Sequence, residues 1–136
     1  MEYSLPEMAD FLRSLIIVGV GGAAGGLLRL WVVDLLAPRW IAAVFLCNVV
    51  GSFLFALYVD LSKTPRPNFK KFHTVGLCGG LTTFSTFAFQ VGGLAKGGDW
   101  LGSGCLFFGT FAACLAAAYF SGFCAKFLFC GKAGGR

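Results

Sequence analysis

The polar chemistry of this chain lies where an apolar sequence tolerates it least. The run Gly76-Leu77-Cys78-Gly79-Gly80-Leu81-Thr82-Thr83-Phe84-Ser85-Thr86-Phe87 sets a glycine pair and several hydroxyls inside an otherwise apolar stretch. A glycine pair is a poor helix former and threonine a middling one, so the run predicts a helix broken near Gly79–Thr83. A break frees backbone carbonyls, which are tolerated at membrane depth only when they are buried or serve a ligand. Freed carbonyl oxygens are hard ligands suited to a small cation. Phe84 and Phe87 are three apart and share a face if the helix resumes. Their ring edges carry partial positive charge and could meet an anion; equally, the two rings could be core packing.

Three more polar side chains lie in apolar runs. Asn48 falls near the middle of its run, where an unsatisfied amide costs several kcal/mol, so it must face a partner helix or a polar path. Arg29 lies within about two helical turns of a run's end. It could snorkel outward, or stand as a fixed positive charge at the mouth of an anion path. Thr110 could line a path or bond its own backbone. No Asp or Glu lies mid-run, since Asp34 and Asp60 stand at run ends, and nothing suggests bond-making catalysis. His73, the only histidine, lies by a basic loop and reads as solvated. The six cysteines (Cys47, Cys78, Cys105, Cys114, Cys124, Cys130) lack paired metal-ligand spacing and read as small apolar residues with free thiols.

The elements that carry these residues are membrane spans. With 57% hydrophobic and 12% charged residues among 136, the chain is too apolar for an ordinary soluble domain. A spanning helix needs about 20 mostly apolar residues. Four such runs, about 12–33, 40–60, 72–94 and 100–129, use nearly the whole chain, giving an all-α membrane protein with a single four-helix transmembrane domain. The polar stretch from Ser62 to Asn68, with two prolines, reads as a surface loop. Residues 1–11 carry Glu2, Glu7 and Asp10 and lack the basic start of a secretory signal. No sequence repeat and no linker long enough to separate domains is evident. Gly21 with Gly25 and Gly22 with Gly26 form two Gly-x-x-x-Gly pairs, a spacing that lets another backbone approach. Gly109, Ala113, Ala117 and Ser121 form a small-residue stripe, again four apart.

Loop charge sets the expected orientation. With four spans, Arg13, Lys63, Arg66, Lys70, Lys71, Lys126, Lys132 and Arg136 share the side of the termini, against Arg39 and Lys96, with Arg29 just inside, on the other. Basic residues favour the cytoplasm, so both termini are expected there.

The third run, with Asn48 and Arg29, resembles the Fluc-type (CrcB) fluoride ion channels. The matching elements are Gly21-Gly22-Ala23-Ala24-Gly25-Gly26-Leu27-Leu28-Arg29, Asn48-Val49-Val50-Gly51-Ser52-Phe53 and the long run Gly76 to Phe87. The likeness covers all four spans in order, and its last element is highly specific. The resemblance implies passive fluoride export across the cytoplasmic membrane by an antiparallel dimer with two pores built from both subunits. It implies Asn48 as the polar pore residue and Phe84 and Phe87 as the aromatic pair along the fluoride path. Backbone carbonyls of Gly79 and Thr82 would hold a structural sodium ion at the dimer centre, and Arg29 matches an arginine near the aqueous vestibule. Thr110 is the candidate for a hydroxyl track on the last helix, with Cys114 weaker because thiols are poor donors. The family often has Gly-Thr five and four residues before the asparagine; here those positions are Ala43 and Val44, so a hydroxyl is missing.

Physically, a bare small anion entering a medium of low dielectric faces a cost on the order of 20 kcal/mol by idealised Born estimates. A path must replace lost water with donors that do not hold the ion too tightly. The alternative function is a small multidrug-resistance-type proton-coupled transporter, which would need an ionisable carboxylate within the membrane. The charge bias also bears on the partner. An antiparallel homodimer needs one sequence to insert both ways, whereas this bias favours a single orientation, so the partner is either a second copy or a related paralogous chain of opposite bias.

Overall fold

The computed structural model describes residues 5–61 and 67–130. Among these residues all regular structure is helical. Helix α1 spans Leu5–Leu35, and after a short 3-10 turn at Ala37–Arg39 helix α2 spans Trp40–Leu61. The third apolar run begins as α3 (Pro67–Lys71), continues as a π-helical stretch over Phe72–Cys78 and ends as α4 (Gly79–Leu81). Helix α5 (Phe84–Lys96) resumes after the break and α6 spans Trp100–Cys130. Three helical segments, Leu5–Leu35, Ala37–Asp60 and Trp100–Lys126, are long and apolar enough to cross a membrane.

Several expectations are refined. Helix α1 starts at Leu5 rather than near Leu12. Pro67, expected in a loop, opens α3, where its missing N–H costs nothing. The rest of that loop, Ser62–Arg66 with Lys63 and Arg66, lies outside the described residues, as do Lys132 and Arg136 of the basic tail. The turn into α6 follows local chemistry. Gly98 takes φ 87°, and Asp99 Oδ1 accepts from the Gly102 amide at 2.8 Å, capping the helix.

The glycines join α1 to the third run. Gly21 and Gly25 are buried on α1. A Cβ on Gly21 would lie 3.0 Å from the Gly76 Cα, and one on Gly25 would collide with the Leu77 carbonyl. The fit is reciprocal: a Cβ on Gly76 would lie 2.9 Å from the Gly21 Cα, and one on Gly80 would collide with the Gly22 carbonyl. Gly76 and Gly80 are themselves four apart, so small residues on both partners bring two backbones into contact. Helix α2 packs along α6, whose inward face carries Thr110, Ser121 and Ala125, all buried. Only part of the expected α6 stripe faces this seam: Ser121 is fully buried, while Gly109 is exposed with nothing near its Cβ position. Large apolar side chains instead cover the outside, with Trp31, Phe108, Leu115 and Tyr119 all exposed, the arrangement a lipid environment requires.

This seam makes a direct prediction. Gly25→Val should sharply lower the melting temperature of the detergent-purified protein, because a carbonyl of the facing backbone must shift. Gly19→Ala, on the same helix with nothing within 4 Å, should leave it nearly unchanged.

Candidate functional site

The break in the third run is two residues long and lies at its hydroxyls rather than its glycines. Thr82 (φ −79°, ψ 152°) and Thr83 (φ −147°, ψ 115°) are extended, whereas Gly79 and Gly80 remain helical. The Thr82 amide and hydroxyl both donate to the Cys78 carbonyl, each at 3.0 Å, closing the first half. Thr83 then caps α5, its Oγ1 accepting from the Thr86 amide at 3.3 Å and donating to Thr86 Oγ1 at 3.0 Å.

Asn48 of α2 supplies what the break removes. Its Oδ1 accepts from the Thr83 amide at 2.8 Å, and its Nδ2 donates to the Thr83 carbonyl at 3.2 Å. The side-chain amide therefore pairs with both backbone groups of one residue, and the pairing fixes which end of the amide points where. The sequence left open whether Asn48 faces a partner helix or a polar path; it meets the broken helix at Thr83 and also lines a cavity. Diverting the Thr83 amide deprives the Gly79 carbonyl of the partner a continuous helix would give it. The Thr82 carbonyl loses its helical partner likewise, because the Thr86 amide turns to Thr83 Oγ1.

The cavity beside this pairing, about 230 Å³, gathers most of the residues singled out by sequence. Asn48, Thr82, Phe84, Phe87 and Thr110 line it, together with Ser52, Thr83, Phe111 and Cys114. The Phe84 and Phe87 rings are 6.1 Å apart and tilted by 50°. Phe87 is buried, with Phe107 stacked at 6.0 Å and Phe111 edge-on at 6.1 Å, whereas Phe84 is 69% exposed. Thr110 donates its hydroxyl hydrogen to the Leu106 carbonyl at 2.7 Å, so it offers this cavity oxygen lone pairs.

Arg29 and Gly79 stand apart from that cavity. Arg29, half-buried, lines a second one of about 760 Å³ with Trp40, Val44, Ser85 and Thr86; Thr83 borders both. No acidic side chain pairs with Arg29 among the described residues. Gly79 lines a third, about 650 Å³, which shares Ser52, Thr82, Phe111 and Cys114 with the first. Ala43 and Val44, the departure from the usual Gly-Thr, are fully buried core. His73 stays partly exposed while its ring stacks on Tyr58 (centroids 4.9 Å, planes 9° apart) and meets Phe69 at 4.0 Å.

Sequence reasoning missed Phe107, Phe111 and Gln90. The two phenylalanines were hidden among 16 of their kind. Gln90 carried a readable signal, a polar residue three positions past Phe87 in an apolar run. It is buried, its Nε2 donating to the Trp40 carbonyl at 3.2 Å and its Oε1 without a partner.

A broken helix held by a neighbouring helix's amide, with cavities on either side and an apolar exterior, defines a multi-helix membrane protein with buried polar groups at the break. The chain belongs to the CrcB family: the model of that family, described as "CrcB-like protein, Camphor Resistance (CrcB)", matches residues 16–123. It is similar to the fluoride-specific ion channel FluC of Paramagnetospirillum magneticum, 37% identical over 114 residues, covering 76% of this chain and 88% of that one. The fluoride-specific ion channel FluC of Chlorobaculum tepidum is 34% identical over 121 residues, 75% of this chain and 95% of that one. That of Geotalea daltonii is 33% identical over 97 residues, 66% and 78% of the two chains.

Asn48→Ala should strand the buried amide and carbonyl of Thr83, at about 1–3 kcal/mol for each group left unsatisfied. The expected result is a melting temperature lowered by several degrees in detergent. Thr110→Val, which removes a hydroxyl bonded only within its own helix, should cost much less.

Proposed function

We propose that this chain is a subunit of a fluoride-selective channel that lets fluoride leave the cytoplasm passively. The observation that carries the reading is the Asn48–Thr83 pairing, which keeps polar groups at a cavity that Phe84 and Phe87 also line. Membership of the CrcB family and similarity to proteins named as fluoride-specific channels support the ion and rule against an enzyme. In this reading Arg29 draws anions into the neighbouring cavity, where Ser85 and Thr86 offer hydroxyls. Asn48 then presents its remaining N–H, Phe84 and Phe87 turn ring edges to the ion, and Thr110 shapes the wall of the path.

The subunit pairs with a second one in antiparallel fashion, and the third run makes the fourth crossing of the membrane. The exposed ring of Phe84, together with Gly79, whose Cβ position is open, supports a partner that completes the site. The carbonyls of Gly79 and Thr82, released by the break, suit a hard monovalent cation such as sodium, which would supply fixed positive charge between the subunits. The protein resides in the cytoplasmic membrane with both termini inside, from the loop charge. Because that bias favours one orientation, the partner is either a minority of inverted copies or a related chain of opposite bias. The proton-coupled transporter alternative is disfavoured, since Asp34 and Asp60 stand at the ends of α1 and α2 and no carboxylate lies mid-span.

Liposomes loaded with fluoride and carrying the purified protein should release it until the membrane potential opposes flow, and a potassium shunt should restore it. Chloride release at a similar rate would sink the reading. Phe84→Ile and Phe87→Ile should each reduce fluoride flux greatly while keeping apolar volume; parental flux in both would make the rings mere packing. Cysteine labelling at an added N-terminal site in intact cells separates the partner readings. Labelling from both faces means dual insertion; cytoplasmic labelling alone, with activity only on co-expression of a second chain, means a paralogous partner.

A further inference from the structure

Hydrogen-bond donors on the wall of the Asn48 cavity are scarcer than its composition suggests. Each hydroxyl has one donor hydrogen. Thr82 gives its own to the Cys78 carbonyl, Thr110 to the Leu106 carbonyl and Thr83 to Thr86 Oγ1. Ser52 lines the same wall, and its hydroxyl has no hydrogen-bond partner among the described residues. A helical serine commonly bonds the carbonyl four residues back, here that of Asn48 itself, but Ser52 does not. Cys114, the other uncommitted group on the wall, is a weak donor.

Position strengthens the case. Ser52 follows Asn48 by four residues on α2, so the two share one face about 6 Å apart along the axis. Asn48 uses one Nδ2 hydrogen on the Thr83 carbonyl and keeps the other. Ser52 also borders the larger cavity that holds Gly79. Its backbone is fixed there by the close approach at Gly51, where a Cβ would collide with Thr82 Cγ2.

We propose that Ser52 is an anion-coordinating residue: its free O–H receives fluoride from the Asn48 N–H at the junction of the two cavities. The inference rests on the fluoride-channel reading and adds to it a named donor. Asn48 is largely occupied in holding the broken helix, and Ser52 supplies the donor that Asn48 lacks.

The test is fluoride efflux from liposomes carrying the full-length protein with a potassium shunt, at low and at saturating fluoride. Ser52→Ala should lower flux about tenfold or more at low fluoride, the usual worth of a hydrogen bond to a charged group, and less at saturation. Its melting temperature should match the parent's. Ser52→Cys, which keeps a side chain of similar size with a weak donor, should fall between and serves if the alanine variant does not fold. A conducting parent matched by Ser52→Ala, or by Ser52→Cys where only that folds, overturns the role of Ser52 alone. A parent that releases no fluoride overturns the channel reading and this inference together.

Discussion

The structure depends on one pairing, that of the Asn48 side-chain amide with the backbone N–H and C=O of Thr83. A helix interrupted inside an apolar chain leaves backbone groups with no water to satisfy them, each worth several kcal/mol if stranded. Asn48 meets that demand with a donor and an acceptor at the required spacing, so the interruption becomes a stable feature. The rest follows geometrically. The Thr83 amide is diverted, the Gly79 carbonyl is released, and α5 restarts with Phe84 and Phe87 directed at the cavity that Asn48 also lines.

The interrupted run can tolerate this because it is held along its length elsewhere. On one side α1 lies backbone to backbone against it through Gly21, Gly25, Gly76 and Gly80. On the other, α2 brings Asn48 and Gly51 up to Thr83 and Thr82. Without a hydrophobic driving force between helices in lipid, close van der Waals approach and a few buried hydrogen bonds carry the packing. The π-helical stretch Phe72–Cys78 ends just before the break, in keeping with the tendency of such stretches to mark functional regions.

Much of this was legible in the sequence where a residue violates its surroundings. An amide in the middle of an apolar run must find a partner, and Asn48 finds one 35 positions away. Hydroxyls and glycines within an apolar stretch foretold a break near Gly79–Thr83, and it falls at the end of that window, at Thr82 and Thr83. Of the residues expected to break the helix, the glycines stay helical, and at Gly80 smallness serves packing, since a Cβ there would collide with the Gly22 carbonyl. The α6 stripe was half legible, since spacing of four defines a face without saying which neighbour it meets, and Gly109 turns outward. Thr110 bonds its own helix, one of the two readings its sequence allowed, whereas nothing in the sequence separated Arg29 from the Asn48 cavity, because that depends on where α1 lies around the break.

In the proposed function, a small anion in a low-dielectric interior is stabilised by a sparse set of donors and ring edges with no titratable carboxylate among them, so conduction is passive and selective. The most direct measurement is the reversal potential of the purified protein in a planar bilayer with a fluoride gradient, symmetric chloride and a variable pH difference. The account predicts a potential that shifts by about 59 mV for each tenfold change in fluoride ratio and ignores the pH difference. A potential that follows the pH difference, or stays at zero under the fluoride gradient, contradicts it.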